Sequence, residues 1–184
     1  ETVLVHGAAG GVGLTAVEIA KAAGARVIAT ASSPEKCAIA LAHGADEAIN
    51  YAETPFRDRV KQLTGGLGAD VIYDPVGGDV FDQSLRCINW GGRILVIGFA
   101  AGRIPDIPAN LLLVKSCSAI GVFWSSHRRR EPMTLREDYR QLFKWWEDGK
   151  LKPLVGEIFP LERAGDAMGA LLSRKVAGKI VLET

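Results

Sequence analysis

Val5-His6-Gly7-Ala8-Ala9-Gly10-Gly11-Val12-Gly13 follows the short, apolar, β-branched run Thr2-Val3-Leu4. A buried strand that runs straight into glycine-rich sequence reads as strand, then turn. Beyond the turn, Leu14, Val17, Ile19 and Ala20 recur at helical spacing from Val12 to about Ala23, and Gly24 stands where a helix ends. Arg26-Val27-Ile28-Ala29-Thr30 is the next strand. The quoted stretch therefore joins a strand to a helix inside a strand–helix–strand unit of about thirty residues.

Working outward, the alternation continues. Ser33 and Pro34 supply an N-cap and a first helical position for a helix that runs to about His43. Strands are expected at Glu47–Asn50, Ala69–Tyr73, Gly92–Gly98 and Ser118–Trp124. Helices are expected at Phe56–Thr64 and Asp79–Cys87, with a loop and one short helix over Pro105–Lys115. The strands are continuous apolar runs, as expected when both sheet faces are covered. Short links between alternating strands and helices imply parallel strands and right-handed crossovers. The expected fold is α/β: a doubly wound, six-stranded parallel sheet of the Rossmann type with a short C-terminal extension. Residues 1–150 form the expected dinucleotide-binding domain, and 151–184 a segment apart from it. Within that frame, Ser125–Pro132 reads as a solvated polar loop carrying Arg128, Arg129 and Arg130. Thr134–Gly149 reads as an amphipathic helix with one of Trp145 and Trp146 in the core. Pro153–Pro160 reads as extended, Leu161–Arg174 as helical and Lys179–Glu183 as a final strand.

Composition narrows the function. The 184 residues carry 22 Lys and Arg against 21 Asp and Glu, a net charge of +1. That balance lacks the basic excess of a general nucleic-acid or anionic-membrane binder. Hydrophobic residues are 48% of the chain, too many for intrinsic disorder. No apolar run is long enough to span a membrane, and no signal-peptide pattern is present. Cys37, Cys87 and Cys117 are odd in number and widely spaced, so neither a disulfide framework nor a metal-ligand pair is expected. No metal is expected, and a cytoplasmic setting fits. The chain begins with Glu1 on the verge of a strand, which points to a piece of a longer protein.

The glycine turn carries the chemistry. Gly10 lets the backbone approach a pyrophosphate, and Gly13 lets the helix pack close to the strand. Amides around Gly11 and Val12 then face the phosphates, with the helix dipole behind them. Ala8 replaces the first glycine of the usual pattern. An acidic residue at the end of the second strand would bind the ribose 2′-hydroxyl of NAD. Here that tip reads Thr30-Ala31-Ser32-Ser33-Pro34-Glu35-Lys36. Small hydroxyls such as Ser32, with Lys36 as countercharge, suit a 2′-phosphate, so NADPH is the expected cofactor. His6 reads as a core histidine, and Asp74 either orients a loop or touches a ribose.

Several motifs together resemble one family. The stretch from Val5 to Gly13, Gly44-Ala45-Asp46 with Ile49-Asn50-Tyr51, and Thr64-Gly65-Gly66 with Gly68-Ala69-Asp70-Val71 are similar to the zinc-independent, zeta-crystallin-like quinone oxidoreductases of the medium-chain dehydrogenase/reductase superfamily. Tyr73-Asp74-Pro75-Val76-Gly77-Gly78, Gly91-Gly92-Arg93 and Gly178-Lys179-Ile180-Val181-Leu182 extend the resemblance over essentially the whole chain. The resemblance implies an NADPH-dependent reductase of quinones or enone-type electrophiles. It implies that 151–184 is the return segment of a catalytic domain that is otherwise missing. It also places Lys36 and Tyr51 at the adenosine 2′-phosphate, Val76, Gly98 and Phe99 beside the nicotinamide, and Phe123 near the carboxamide.

Two functional readings stay open from sequence. One is the NADPH-binding domain of a hydride-transferring oxidoreductase, inactive without its substrate wall. The other is a non-catalytic NADPH-binding module acting as sensor or scaffold. A nucleotide-binding methyltransferase is a third, weaker reading, because Ala31 and Ser32 stand where an acid is usual. No catalytic side chain is assigned. The apolar strand 118–124 would lie at a sheet edge, so a homodimer through it is expected.

Overall fold

Apolar runs bounded by glycine turns become strands, and the segments between them become helices. The computed structural model describes residues 1–173 and 176–184. In chain order it forms β1 (Thr2–Val5), α1 (Gly13–Ala22), β2 (Arg26–Ala31), α2 (Pro34–Ala42), β3 (Glu47–Asn50), α3 (Phe56–Leu63), β4 (Ala69–Asp74), α4 (Gly78–Cys87), β5 (Ile88–Val96), α5 (Ala109–Lys115) and β6 (Ser118–Gly121). There follow α6 (Trp124–Arg130), α7 (Pro132–Glu147), β7 (Val155–Pro160), α8 (Ala164–Leu172) and β8 (Lys179–Glu183). Ser33 caps α2 as the sequence predicts, its hydroxyl accepting from the Lys36 amide at 3.3 Å.

The first six strands form one sheet in the order β3-β2-β1-β4-β5-β6, all parallel. This is the doubly wound α/β arrangement, and the order reverses between β1 and β4. One face carries Leu4, Ile28, Ile72 and Ile94, packed against Phe56 and Val60 of α3, Phe81 and Leu85 of α4, and Leu111 and Leu112 of α5. On the other face Val5, Val27 and Ala29 meet Val17 of α1 and Ala40 of α2. That second layer is incomplete. Beyond α1, Tyr73 and Leu95 are half-buried, and Ile120 is 42% exposed.

β7 and β8 pair in parallel as a separate two-stranded sheet. Among the described residues, hydrogen bonds tie this tail to the main unit. The buried Glu18 of α1 accepts from the Lys152 amide at 3.1 Å and bonds His43 Nδ1 at 2.6 Å. Gly178 donates its amide to Ala9 O at 2.9 Å and bridges to Gly10 in parallel.

Five expectations need correction. The sixth strand ends at Gly121, not Trp124, because its partner β5 ends at Val96, which accepts a last bond from Val122. Trp124 instead opens α6, so Arg128, Arg129 and Arg130 lie on a helix rather than in a loop. β5 starts at Ile88, with an irregularity before Gly92, and stops before Gly98. In α7 neither tryptophan is in the core: Trp145 is half-buried and Trp146 is 59% exposed. The predicted helix over Leu161–Arg174 opens as a short 3₁₀ turn, Leu161–Arg163, and Arg174 lies outside the described residues.

Candidate functional site

The turn between β1 and α1 opens at the carboxyl edge of the sheet, beside the reversal of strand order, where ligands of open α/β sheets bind. Gly7, at φ +60°, lets the chain leave β1 sharply. Gly10 donates to Gly7 O at 2.9 Å, and Ala8 donates to Thr30 O at 3.0 Å, so the turn is tied to itself and to β2. Gly13 is buried, and a Cβ there would collide with the Gly7 carbonyl; only glycine lets α1 start this close to the turn. The first turn of α1 has no acidic residue to neutralise its positive end. Gly10 and Val12 are exposed and Gly11 is half-buried, so the predicted phosphate-facing residues line an accessible surface.

One neighbour of this turn was not anticipated by residue-level reading. A Cβ on Gly11 would meet Lys179 Cδ at 2.6 Å and Gly178 O at 2.8 Å. The stem of Lys179 thus lies over the glycine turn, and its exposed ammonium stands close to the helix start. The available signal was the Gly178-Lys179 pair itself, a glycine for close backbone approach followed by a cation. Its partner lies some 170 positions away in sequence, at Gly10 and Gly11.

Ser32, Lys36 and Tyr51 come together at the tips of β2 and β3. Lys36 Nζ donates to Ser32 Oγ at 3.5 Å, and the Tyr51 amide donates to Ala31 O at 3.0 Å. Ser32 is exposed and Tyr51 is 47% exposed. Clefts of about 410 Å³, beside Tyr51 and Gln83, and about 280 Å³, beside Pro34 and Asn50, flank these tips.

Val76, Gly98 and Phe99 form a second group, on the loops after β4 and β5. Ala100 donates to Pro75 O at 3.1 Å and Ala101 to Val76 O at 2.9 Å, stitching the two loops together. Gly77, at φ +70°, has no room for a side chain, since a Cβ would sit 3.0 Å from the Phe99 ring. Beneath them Asp74 is buried. Its Oδ1 accepts from the Val76 and Gly77 amides at 2.7 and 3.0 Å, which makes it a loop-orienting residue. Its Oδ2 has no hydrogen-bond partner among the described residues. Burial raises the Asp74 pKa above the ordinary carboxyl value, against the lowering effect of the two amides. Phe123, 68% exposed, lies just beyond the edge strand β6, two residues after the Gly121 that pairs with Val96 of β5.

Below the turn His6 is buried, as expected of a core histidine. Burial alone drives its pKa down to about 3, so the ring is neutral. Among the described residues no group of three or more His, Cys, Asp and Glu side chains could hold a metal ion. His6 and His43 are committed to protein partners and all three cysteines are buried, so this set does not fit a zinc centre. No helix among the described residues is long and apolar enough to cross a membrane.

Comparison with known proteins agrees with this architecture. Residues 11–147 match the family model described as zinc-binding dehydrogenase. A quinone oxidoreductase-like protein 2 homolog of Nematostella vectensis is 46% identical over 186 residues, covering 100% of this chain and 51% of that protein. The crystal structure of a Pseudomonas syringae pv. tomato DC3000 quinone oxidoreductase superposes with a TM-score of 0.91 at 36% identity, covering 100% of this chain and 57% of that one. The Escherichia coli quinone oxidoreductase complexed with NADPH gives a TM-score of 0.90 at 34% identity, with 100% and 57% covered. The chain spans about half the length of the curated relatives it matches. It belongs to the zeta-crystallin-like quinone oxidoreductase family of the medium-chain dehydrogenases/reductases, and corresponds to the NAD(P)-binding portion of such enzymes.

Proposed function

We propose that this chain is the NADPH-binding domain of an oxidoreductase that reduces a quinone or enone-type substrate. The observation that carries the reading is the bare glycine turn at the reversal of the sheet, with the cation Lys179 laid over it. Its fit to a dinucleotide rests on that open cradle and on the uncompensated start of α1. Gly10, Gly11 and Val12 would hold the pyrophosphate, with Lys179 as countercharge. Ser32, Lys36 and Tyr51 would hold the adenosine 2′-phosphate side, a role supported by the Lys36–Ser32 bond and by the lack of an acid at the β2 tip. Val76, Gly98 and Phe99 would wall the nicotinamide, and Phe123 would neighbour its carboxamide. When bound, the nicotinamide supplies hydride to an electron-poor acceptor. This chain's own residues bind, orient and shield, and none is assigned as acid or base.

The domain division follows. Residues 1–150 form the nucleotide domain, and 151–184 are the return segment of the catalytic domain. The family match ending at residue 147 and the separate β7–β8 sheet support this division. A homodimer through the open edge of β6 is supported by the place of β6 as the outermost strand of the main sheet. Free thiols at Cys37, Cys87 and Cys117 support a cytoplasmic setting.

Calorimetric titration with NADPH and, separately, NADH tests the cofactor reading. NADPH is expected to bind at least about tenfold more tightly, a difference of about 1.4 kcal/mol. Lys36→Ala is expected to erase that preference while leaving NADH binding in place. Equal binding of the two cofactors by the unsubstituted protein would remove Ser32 and Lys36 from the site.

A further inference from the structure

His6 precedes the glycine turn by one residue, yet its side chain faces away from the turn's accessible surface. Its ring lies in a buried polar chain that crosses three elements. Nδ1 is 2.9 Å from Thr30 Oγ1 on β2, and Nε2 is 2.8 Å from Ser84 Oγ on α4. Ser84 spends its own hydroxyl proton on Val80 O, 2.7 Å away. The Ser84 oxygen must therefore accept from Nε2–H. That leaves Nδ1 as an acceptor, filled by the Thr30 hydroxyl. The resulting direction is unique: Thr30 donates to His6, His6 to Ser84, and Ser84 to the α4 backbone. All three side chains are at most 1% exposed, and the edge of the ring packs on Phe56 with centroids 4.8 Å apart.

Each end of this chain stands on an element that leads to a different loop of the site. Thr30 stands two residues before Ser32, at the adenosine-side tip. Ser84 belongs to the helix that begins where the Val76 loop ends. His6 itself anchors the base of the phosphate turn, and its amide donates to Tyr73 O at 3.1 Å. We infer that His6 is a positioning residue: through Thr30 and Ser84 it sets the spacing between the loops that take the two halves of the dinucleotide. The inference rests on the cofactor reading above. A ligand that spans both halves feels this spacing, whereas a ligand that occupies one half does not.

The test compares NADPH with adenosine 2′,5′-bisphosphate, which has the adenosine half alone, on the intact protein by calorimetry. Thr30→Val removes the hydroxyl and keeps the shape. Thr30→Ser keeps the hydroxyl and removes a methyl. Ser84→Ala cuts the other end. Thr30→Val and Ser84→Ala are each expected to weaken NADPH by roughly tenfold and the bisphosphate by less than about twofold. Thr30→Ser is expected to keep NADPH affinity within about twofold, although it too melts at a lower temperature. Parallel loss of both ligands, or no loss of either, overturns the inference. If the unsubstituted protein binds the bisphosphate and not NADPH, the cofactor reading falls and takes the inference with it.

Discussion

At Gly13 a methyl group would land on the carbonyl oxygen of Gly7, while at Gly10 it would meet the same oxygen in a tight but smaller contact at 3.3 Å. The two glycines therefore have separable roles. Gly13→Ala is expected to cost about 1–3 kcal/mol of stability, since it overpacks a buried helix–turn contact. Gly10→Ala is expected to cost under about 1 kcal/mol, yet to weaken NADPH at least tenfold by occupying the path of the phosphates. Denaturant melts and titrations on the same samples check both. His6 makes a pH statement. Its folded pKa of about 3 lies below the ordinary 6.5, so folding favours the neutral ring. The stability this brings is complete above about pH 6.5 and is lost as pH falls toward 3, about 5 kcal/mol in all. Urea melts should show a loss of about 2 kcal/mol between pH 6.5 and 5, a slope that His6→Gln should flatten. Ionised carboxylates held low, such as Asp46 and Asp70, act in the same direction only below the ordinary carboxyl range.

Glu18 shows what one residue does for a whole element. It lies on α1 yet holds the end of α2 through His43 and the start of the tail through the Lys152 amide. Glu18→Ala is expected to cost roughly 2–3 kcal/mol and to speed hydrogen exchange at Lys152. Glu18→Gln, which keeps an acceptor for that amide, should preserve most of the exchange protection. Neither tie was legible from local pattern, because each spans distant sequence. The strands of the main sheet were legible as short apolar runs with turn residues beside them, although the bounds of β5 and β6 were not. α6 was not: Trp-Ser-Ser-His-Arg-Arg-Arg has no apolar period, and the helix forms because β6 runs out of partner and no proline intervenes before Pro132. The site divided in the same way. The glycine turn and the β2 tip are each contiguous in sequence, so local reading reaches them. Lys179 reaches Gly11 only through tertiary docking, and resemblance supplied the Val76, Phe99 and Phe123 positions.

The folded molecule exposes 10706 Å², against about 8,600 Å² for a typical monomer of this mass. Exposed apolar side chains are spread along the chain, and one group of them meets between α1 and α7. Ile19, Leu142, Phe143 and Trp146 line an open cavity of about 540 Å³ there. Phe143 is 63% exposed, so in this chain by itself Phe143→Ser should change stability by less than about 0.5 kcal/mol and improve solubility. A cost above about 2 kcal/mol for the same change in a full-length relative's framework joined to this chain would mark the cavity as a buried seam there. The pairing of Gly10 with Gly178 also has a consequence in time. A ribosome makes the glycine turn near the start of this stretch and its covering strand at the end, roughly ten to thirty seconds later. Until the last few residues emerge, the turn stands without Lys179. A nascent chain then holds the older half of this junction and waits for the newer half.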